Sequence, residues 1–244
     1  MIILNAGVPR SGTVLVNAIV RAVLSAQGAV SQQLNPHANE LPHLIRRIQT
    51  EGVDRLRNFL VHTHSWDDET SAMLQASRHL VAFGNYRDPR DVAVSLMKLH
   101  DLDFDIALEA TERYFTGFGR MTREIDLMVV PYELLVSGKR AMIFQIASHL
   151  GVWLTLERVD AIDAETSVDR HKAVMEKVQS GEGDNLKTRE NRHRTLVEDG
   201  TTLINDRHIQ SGAHGRWRTE LSADQRSAAQ ERFAPLLKRY GYTD

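Results

Sequence analysis

Short apolar runs alternate with longer amphipathic stretches along the chain, and this alternation is typical of an α/β protein. The apolar runs predict buried strands at residues 2–4, 59–61, 79–86 and 127–130. The amphipathic stretches predict helices at residues 14–24, 41–48, 90–100, 103–124 and 139–150, with a last helix from Ser222. Strands that alternate with helices pair in parallel. We therefore expect one α/β domain over 1–244, a three-layer α/β/α arrangement around a central, mostly parallel sheet.

Local signals mark several helix ends. Asp88 and Pro89 are suited to the cap and first turn of the helix at 90–100. Ser222 and Gln225 form a capping-box pattern, and the last helix should end before Gly241.

Two further predictions concern residues 180–206 and Trp153. Residues 180–206, rich in glycine, asparagine and charged residues, are expected to be flexible, as a mobile cover or a surface loop. Trp153, close behind the apolar stripe of 139–150, is expected to lie in the core.

Polar groups follow four of the predicted strands. They occur at Pro9–Thr13, His62–His64, Arg87–Pro89 and Tyr132. Ligands of parallel sheets bind beyond the carboxyl ends of the strands. The sequence therefore predicts one binding site at this edge of the sheet.

The first of these segments resembles a phosphate-binding loop, because Gly7 and Gly12 bracket a turn between a strand and a helix. A nucleotide loop with this glycine spacing continues with lysine and a hydroxyl residue for Mg²⁺. Thr13 and Val14 stand at those positions, and Arg10 is the loop's cation. We expect the loop to hold a phosphate-like group without a bound metal.

The amino-acid composition excludes several classes of function. The 244 residues include no cysteine, so thiolate chemistry and disulfides are excluded. A formal net charge of −2 argues against bulk binding to nucleic acid or to an anionic membrane. No run of apolar residues is long enough for a membrane span, and the N-terminus has no signal-peptide pattern. We expect a cytoplasmic protein that binds neither nucleic acid nor membrane.

Six motifs in order resemble those of the sulfotransferases that use 3′-phosphoadenosine 5′-phosphosulfate (PAPS). They are Pro-Arg-Ser-Gly-Thr at 9–13, His-Thr-His at 62–64, the segment from Arg87 to Ser95, Tyr-Glu at 132–133, Thr-Ser-Val at 166–168, and Gly-x-x-Gly-x-Trp at 212–217. The resemblance runs from residue 5 to about residue 240.

This resemblance implies transfer of a sulfonate group from PAPS to a hydroxyl or amine of a small-molecule or sugar acceptor, leaving PAP (3′,5′-ADP) and requiring no metal. His64 would be the general base, and Arg10 would stabilise charge on the leaving phosphate. Arg87 and Ser95 would bind the 3′-phosphate. The implied cofactor-binding residues are Pro9, Arg10, Ser11, Gly12, Thr13, Val14, Arg87, Ser95, Tyr132, Thr166, Ser167, Gly212, Arg216 and Trp217.

The chain also departs from the family pattern. His62 stands where the family has a lysine, and Gln210-Ser211 where it has Arg-Lys. Two alternatives therefore stay open, a small-molecule kinase with a phosphate-binding loop and a nucleotide-binding protein with impaired catalysis. Arg87 could instead pair with Asp88 or Asp91, and Ser167 could cap a helix. The acceptor and the oligomeric state are left open.

Overall fold

A computed structural model describes most of the chain, namely residues 1–34, 40–50, 57–64, 66–77, 79–182, 185–191, 194–200, 202, 204 and 213–242. Its main sheet contains β1 (Ile2–Gly7), β2 (Val30–Leu34), β3 (Arg57–Thr63), β4 (Leu80–Tyr86) and β5 (Met128–Pro131). The order is β2-β3-β1-β4-β5, and every adjacent pair is parallel. The predicted α/β class is therefore confirmed.

Helices follow the strands in the chain order that a parallel sheet requires. They are α1 (Thr13–Ser25), α2 (Leu41–Thr50), α3 (Asp68–Gln75), α4 (Pro89–His100), α5 (Phe104–Glu124), α6 (Tyr132–Ser137), α7 (Lys139–His149), α8 (Leu156–Glu165), α9 (Val168–Ser180), α10 (Trp217–Glu220) and α11 (Ala223–Tyr240). The Asp88 cap, Pro89 at the start of α4 and the Ser222–Gln225 capping box are as predicted.

Two hydrophobic clusters cover the two faces of the sheet. In β1, Ile2 and Leu4 belong to the cluster formed with α2, α4, α5 and α11, whereas Ile3 belongs to the cluster formed with α1, α7 and α8. Ala82 and Phe83 of β4 divide in the same way. Successive strand residues face opposite sides, so the sheet is the middle layer of three.

Within residues 180–206 the structure describes an antiparallel hairpin of β6 (Leu186–Asn191) and β7 (Arg194–Asp199), where the sequence predicted no strand. The flexibility of this segment stays a prediction. One sequence prediction is wrong. Trp153, predicted to lie in the core, is 95% exposed. Its neighbours Val152 and Leu154 pack into the α1–α7–α8 cluster, and Trp153 between them is left at the surface.

Candidate active site

The loop between β1 and α1 is held closely against β4. The Val8 amide donates to the Asn85 carbonyl at 2.8 Å, and the Ser11 hydroxyl donates to the Val8 and Asn85 carbonyls. Gly12 has φ 86°, and a Cβ there would lie 2.8 Å from Cδ2 of Tyr132. The loop therefore requires glycine at position 12 both for its backbone conformation and for the close approach of Tyr132.

Arg10 is held in an unusual backbone conformation. Its φ is 68°, the left-handed region, which costs a non-glycine residue on the order of 1 kcal/mol. Its Nε donates to Ser95 Oγ at 2.9 Å, so the loop cation lies against α4. Burial, and after it the positive charges of Arg87 and Arg216, lower the pKa of Arg10 to about 10. The structure thus brings together three arginines that the sequence assigned to one ligand.

Arg87, at the carboxyl end of β4, is buried between three partners. Its Nη2 donates to Asp91 Oδ2 at 2.9 Å and to the Ala213 carbonyl at 2.6 Å. Its guanidinium lies 4.4 Å from the centre of the Tyr132 ring. The pairing with Asp91, which the sequence left open, is therefore present, while the guanidinium still lies among the predicted site residues.

Asp91 connects Arg87 to residues 213–217, the C-terminal loop. Besides Arg87, its carboxylate accepts from the amides of Gly215 at 2.6 Å and Trp217 at 3.0 Å. Sequence reasoning gave Asp91 only a pairing role. The signal was its position in the first turn of the predicted helix, four residues after Arg87, but no local pattern indicates the contact with residues 215–217.

His64 follows β3 and faces the phosphate-loop side of the sheet edge. Its Nδ1 lies 2.8 Å from the Gly7 carbonyl, which can only accept, so Nδ1 carries the proton. In neutral His64 the lone pair is then on Nε2. That atom lies 3.2 Å from Nε2 of His62. The arrangement fixes the tautomer that a general base acting through Nε2 requires.

A cavity opens beside His64. Its lining is mostly apolar and aromatic: Ala6, Gly7, His64, Trp66, Tyr114, Gly117, Phe118 and Met121. The Trp66 indole N–H donates to Glu124 Oε2 at 2.8 Å. Hydrogen bonds from Ser71, Arg120 and Trp66 lower the pKa of Glu124 to about 2. Trp66 is thus held in place as one side of the cavity.

A family model described as the sulfotransferase domain matches residues 2–241. This chain belongs to the sulfotransferase family. A comparison with curated protein sequences gives no match.

Solved structures share the fold. A retinol dehydratase in complex with androsterone and the inactive cofactor PAP matches with a TM-score of 0.62 at 17% identity, covering 97% of this chain and 80% of the other. A mouse sulfotransferase complexed with PAP matches with a TM-score of 0.63 at 15% identity, covering 97% and 84%. At this identity the likeness supports the sulfotransferase fold.

Other predicted site residues of this sulfotransferase-family chain have structural contacts. Ser167 caps α9 by accepting from the Arg170 amide, and the Thr166 hydroxyl donates to the Ile162 carbonyl at the end of α8. Trp217 is buried, with the Arg90 guanidinium 3.8 Å from its ring centre. Gly212 lies outside the described residues. The cofactor roles of these four residues stay predictions.

In the described part of the chain, no helix is long and apolar enough to cross a membrane. The histidine, aspartate and glutamate side chains of the same residues form no group of three or more that could hold a metal ion.

Proposed function

We propose that this sulfotransferase-family protein transfers a sulfonate group from PAPS to the hydroxyl of a small apolar acceptor, with His64 as the general base. One observation carries the proposal: the Nδ1 contact of His64 with the Gly7 carbonyl puts the accepting lone pair of this cavity-lining histidine on Nε2, which lies 3.2 Å from Nε2 of His62. Solved structures with PAP bound, one of them also with androsterone, have the same fold.

The residues of the loop fit an anionic cofactor. The Thr13 hydroxyl is buried with no hydrogen-bond partner among the described residues, at the first turn of α1. The amides of a helix N-terminus favour an anion. Arg10, Arg87 and Arg216 lie close enough to lower the pKa of Arg10, so a bound anion would relieve their mutual repulsion.

PAPS, when bound, supplies the sulfonate group, and PAP is the product. Residues Pro9–Val14 would hold its 5′-phosphosulfate, and Arg87 and Ser95 its 3′-phosphate. His64 Nε2 takes the proton of the acceptor hydroxyl, which makes the acceptor oxygen the better nucleophile. Arg10 stabilises negative charge at the loop, and Tyr132 lies under the Arg87 guanidinium.

The cavity favours an apolar acceptor over a sugar. Trp66, Tyr114, Phe118 and Met121 supply apolar surface next to His64. A sugar would bring several hydroxyls, and each would lose water without a matching partner. We therefore propose a phenol or an apolar alcohol as the acceptor.

The test uses radiolabelled PAPS and 2-naphthol in EDTA. We expect the unmodified protein to transfer the label, and His64→Ala to lose at least ~100-fold in kcat. PAP affinity should stay within about threefold, because the contact of His64 with the loop strand is to the Gly7 backbone carbonyl, which the substitution leaves in place. Transfer by His64→Ala at the unmodified rate would remove His64 as the base. Phosphoryl transfer from ATP with Mg²⁺ would favour the kinase alternative.

A further inference from the structure

Two histidine rings of the site lie in contact. His62 is the last but one residue of β3, and His64 follows the strand. Their ring centres are 4.7 Å apart, and the ring planes meet at 83°. Their Nε2 atoms are 3.2 Å apart, which is within hydrogen-bond distance. One of the two nitrogens must therefore be the donor and the other the acceptor.

The tautomer of His64 decides which ring donates. Its Nδ1 carries the proton, because the Gly7 carbonyl 2.8 Å away can only accept. A neutral imidazole has one N–H and one lone pair, so Nε2 of neutral His64 is an acceptor. The proton between the two Nε2 atoms then belongs to His62. His62 thus donates to the same lone pair that a general base at His64 would use.

This hydrogen bond competes with proton transfer to His64. One lone pair accepts one proton, so the contact with His62 must open before Nε2 of His64 takes a proton from an acceptor hydroxyl. A hydrogen bond of this kind changes an equilibrium by about two- to tenfold. An acceptor that also contacts the residues around His64 can supply this free energy. A water molecule lacks those contacts and displaces His62 less readily.

The surroundings of His62 are fixed. The residue is buried, with 7% of it exposed. Asn5 of β1 is its partner in the parallel register, which places the two side chains on the same face of the sheet. The Asn5 amide donates to the Thr13 carbonyl at 3.0 Å and to Asn17 Oδ1 at 2.6 Å. A side chain of similar length at position 62 would therefore have the same fixed neighbours.

We propose that His62 is a positioning residue, which covers the proton-accepting lone pair of His64 until the acceptor hydroxyl displaces it. Because His64 is the base only under the proposed function, this role of His62 rests on that function. His62 stands where the family pattern has a lysine. A lysine ammonium has three N–H donors and no lone pair, whereas a histidine ring can exchange its donor and acceptor positions.

Two substitutions of similar length separate the donor from the bulk of the side chain. His62→Gln keeps an N–H donor at about the reach of Nε2, whereas His62→Met has no donor. Diethyl pyrocarbonate modifies the unprotonated nitrogen of a neutral imidazole. Its rate at His64, followed by mass spectrometry at about pH 8, above the ordinary imidazole pKa of about 6.5, therefore reports how available the lone pair is.

We expect the rate at His64 to rise about two- to tenfold in His62→Met and to stay near that of the unmodified protein in His62→Gln. The exposed His79, which precedes β4 at the opposite edge of the sheet, is the internal reference. An unchanged rate in His62→Met would overturn the proposal. An equal rise in both variants would also overturn it, because the altered shape rather than the lost donor would then be responsible.

The unmodified protein provides a test that needs no substitution. Long-range ¹H–¹⁵N spectra of histidine-labelled protein should show the Nε2–H tautomer for His62 and the Nδ1–H tautomer for His64. An Nδ1–H tautomer of His62 would overturn the proposal. Neither measurement needs sulfonate transfer. A protein that transfers no sulfonate would refute the proposed function, while the modification rates and tautomers still decide whether His62 covers His64.

Discussion

The guanidinium groups of Arg10, Arg87 and Arg216 define the charge of the site. Arg87 has Asp91 as its carboxylate partner at 2.9 Å, and Arg216 has Glu220 at 2.6 Å. Arg10 donates to the hydroxyl of Ser95. Burial is the main reason why its pKa falls to about 10, and repulsion by the other two arginines adds to it. A ligand phosphate close to these three guanidinium groups would favour their charged forms.

Arg87 allows a test of how the site recognises phosphate. We expect Arg87→Ala to weaken binding of PAP by at least ~10-fold, in line with the loss of one charge-assisted contact, while binding of ADP changes little. Calorimetry with both nucleotides measures the ratio. Lys98→Ala, which removes an exposed cation from helix α4, is the control. Equal losses for PAP and ADP in Arg87→Ala would contradict the 3′-phosphate assignment.

Candidate site residues could be predicted from the sequence where they belong to a local motif. The loop of 9–13, His64 and the Arg87–Ser95 pair were predicted in this way, and the structure joins Arg10 to Ser95 by a hydrogen bond. Their roles in binding and catalysis stay predictions. The contact of Asp91 with residues 215–217 spans more than 120 positions, and no local pattern encodes such a contact. The contact between Trp66 and Glu124 spans 58 positions, and no local pattern encodes it either.

Helix α4 and the segment leading into α10 are connected through one carboxylate. Asp91 lies on α4 and holds the amides of Gly215 and Trp217, while Trp217 packs over the Arg90 guanidinium. The carboxylate is almost completely buried, with 2% of the residue exposed. The position of the C-terminal loop over Arg87 therefore depends on this residue.

Replacing Asp91 should be costly. Asp91→Ala leaves Arg87 and two amides without their acceptor, and we expect the free energy of unfolding to fall by about 3–5 kcal/mol. Urea unfolding gives the value. Asp160→Ala removes an exposed partner of Arg140 and should cost less than about 1 kcal/mol. A loss for Asp91→Ala as small as that for Asp160→Ala would contradict its role at this junction.

At the scale of elements, strong periodicity made the prediction accurate. Helices α4, α5, α7 and α11 were predicted with ends close to those observed. Strand β2 and the β6–β7 hairpin were missed, because their sequences Val-Ser-Gln-Gln-Leu and Leu-Lys-Thr-Arg-Glu-Asn are mostly polar. These strands form because they pair with a neighbouring strand, β2 with β3 and β6 with β7. Such pairing leaves no apolar pattern in a mostly polar sequence.

The stability of the whole molecule should fall in acid, and His171 is one source of this loss. Burial first, and then the charges of Lys139 and Arg21, lower its pKa from 6.5 to about 4. Between these values the unfolded chain binds a proton that the folded chain does not, so stability rises with pH. This contribution is complete above pH 6.5 and is lost as the pH falls to about 4.

We expect His171→Gln to flatten the dependence of stability on pH between 6.5 and 4. The full shift corresponds to about 3 kcal/mol, and partial exposure of the side chain makes the measured change smaller. Urea unfolding at several pH values measures it. Glu124 provides an internal control, since its pKa is lowered to about 2 and its contribution is lost only below pH ~4.5. An unchanged slope above pH 4.5 in His171→Gln would contradict this source.

We propose that the loop, Arg87 and Ser95 recognise a 3′-phosphorylated nucleotide without a metal. Comparing the Tm of the protein with PAP and with ADP, each with EDTA or with Mg²⁺, tests this recognition. We predict that PAP at about 100 times its Kd raises Tm by about 5–10 °C in EDTA. ADP at the same concentration should give a much smaller shift, and Mg²⁺ should change neither. Equal shifts for the two nucleotides, or a shift that requires Mg²⁺, would contradict the account.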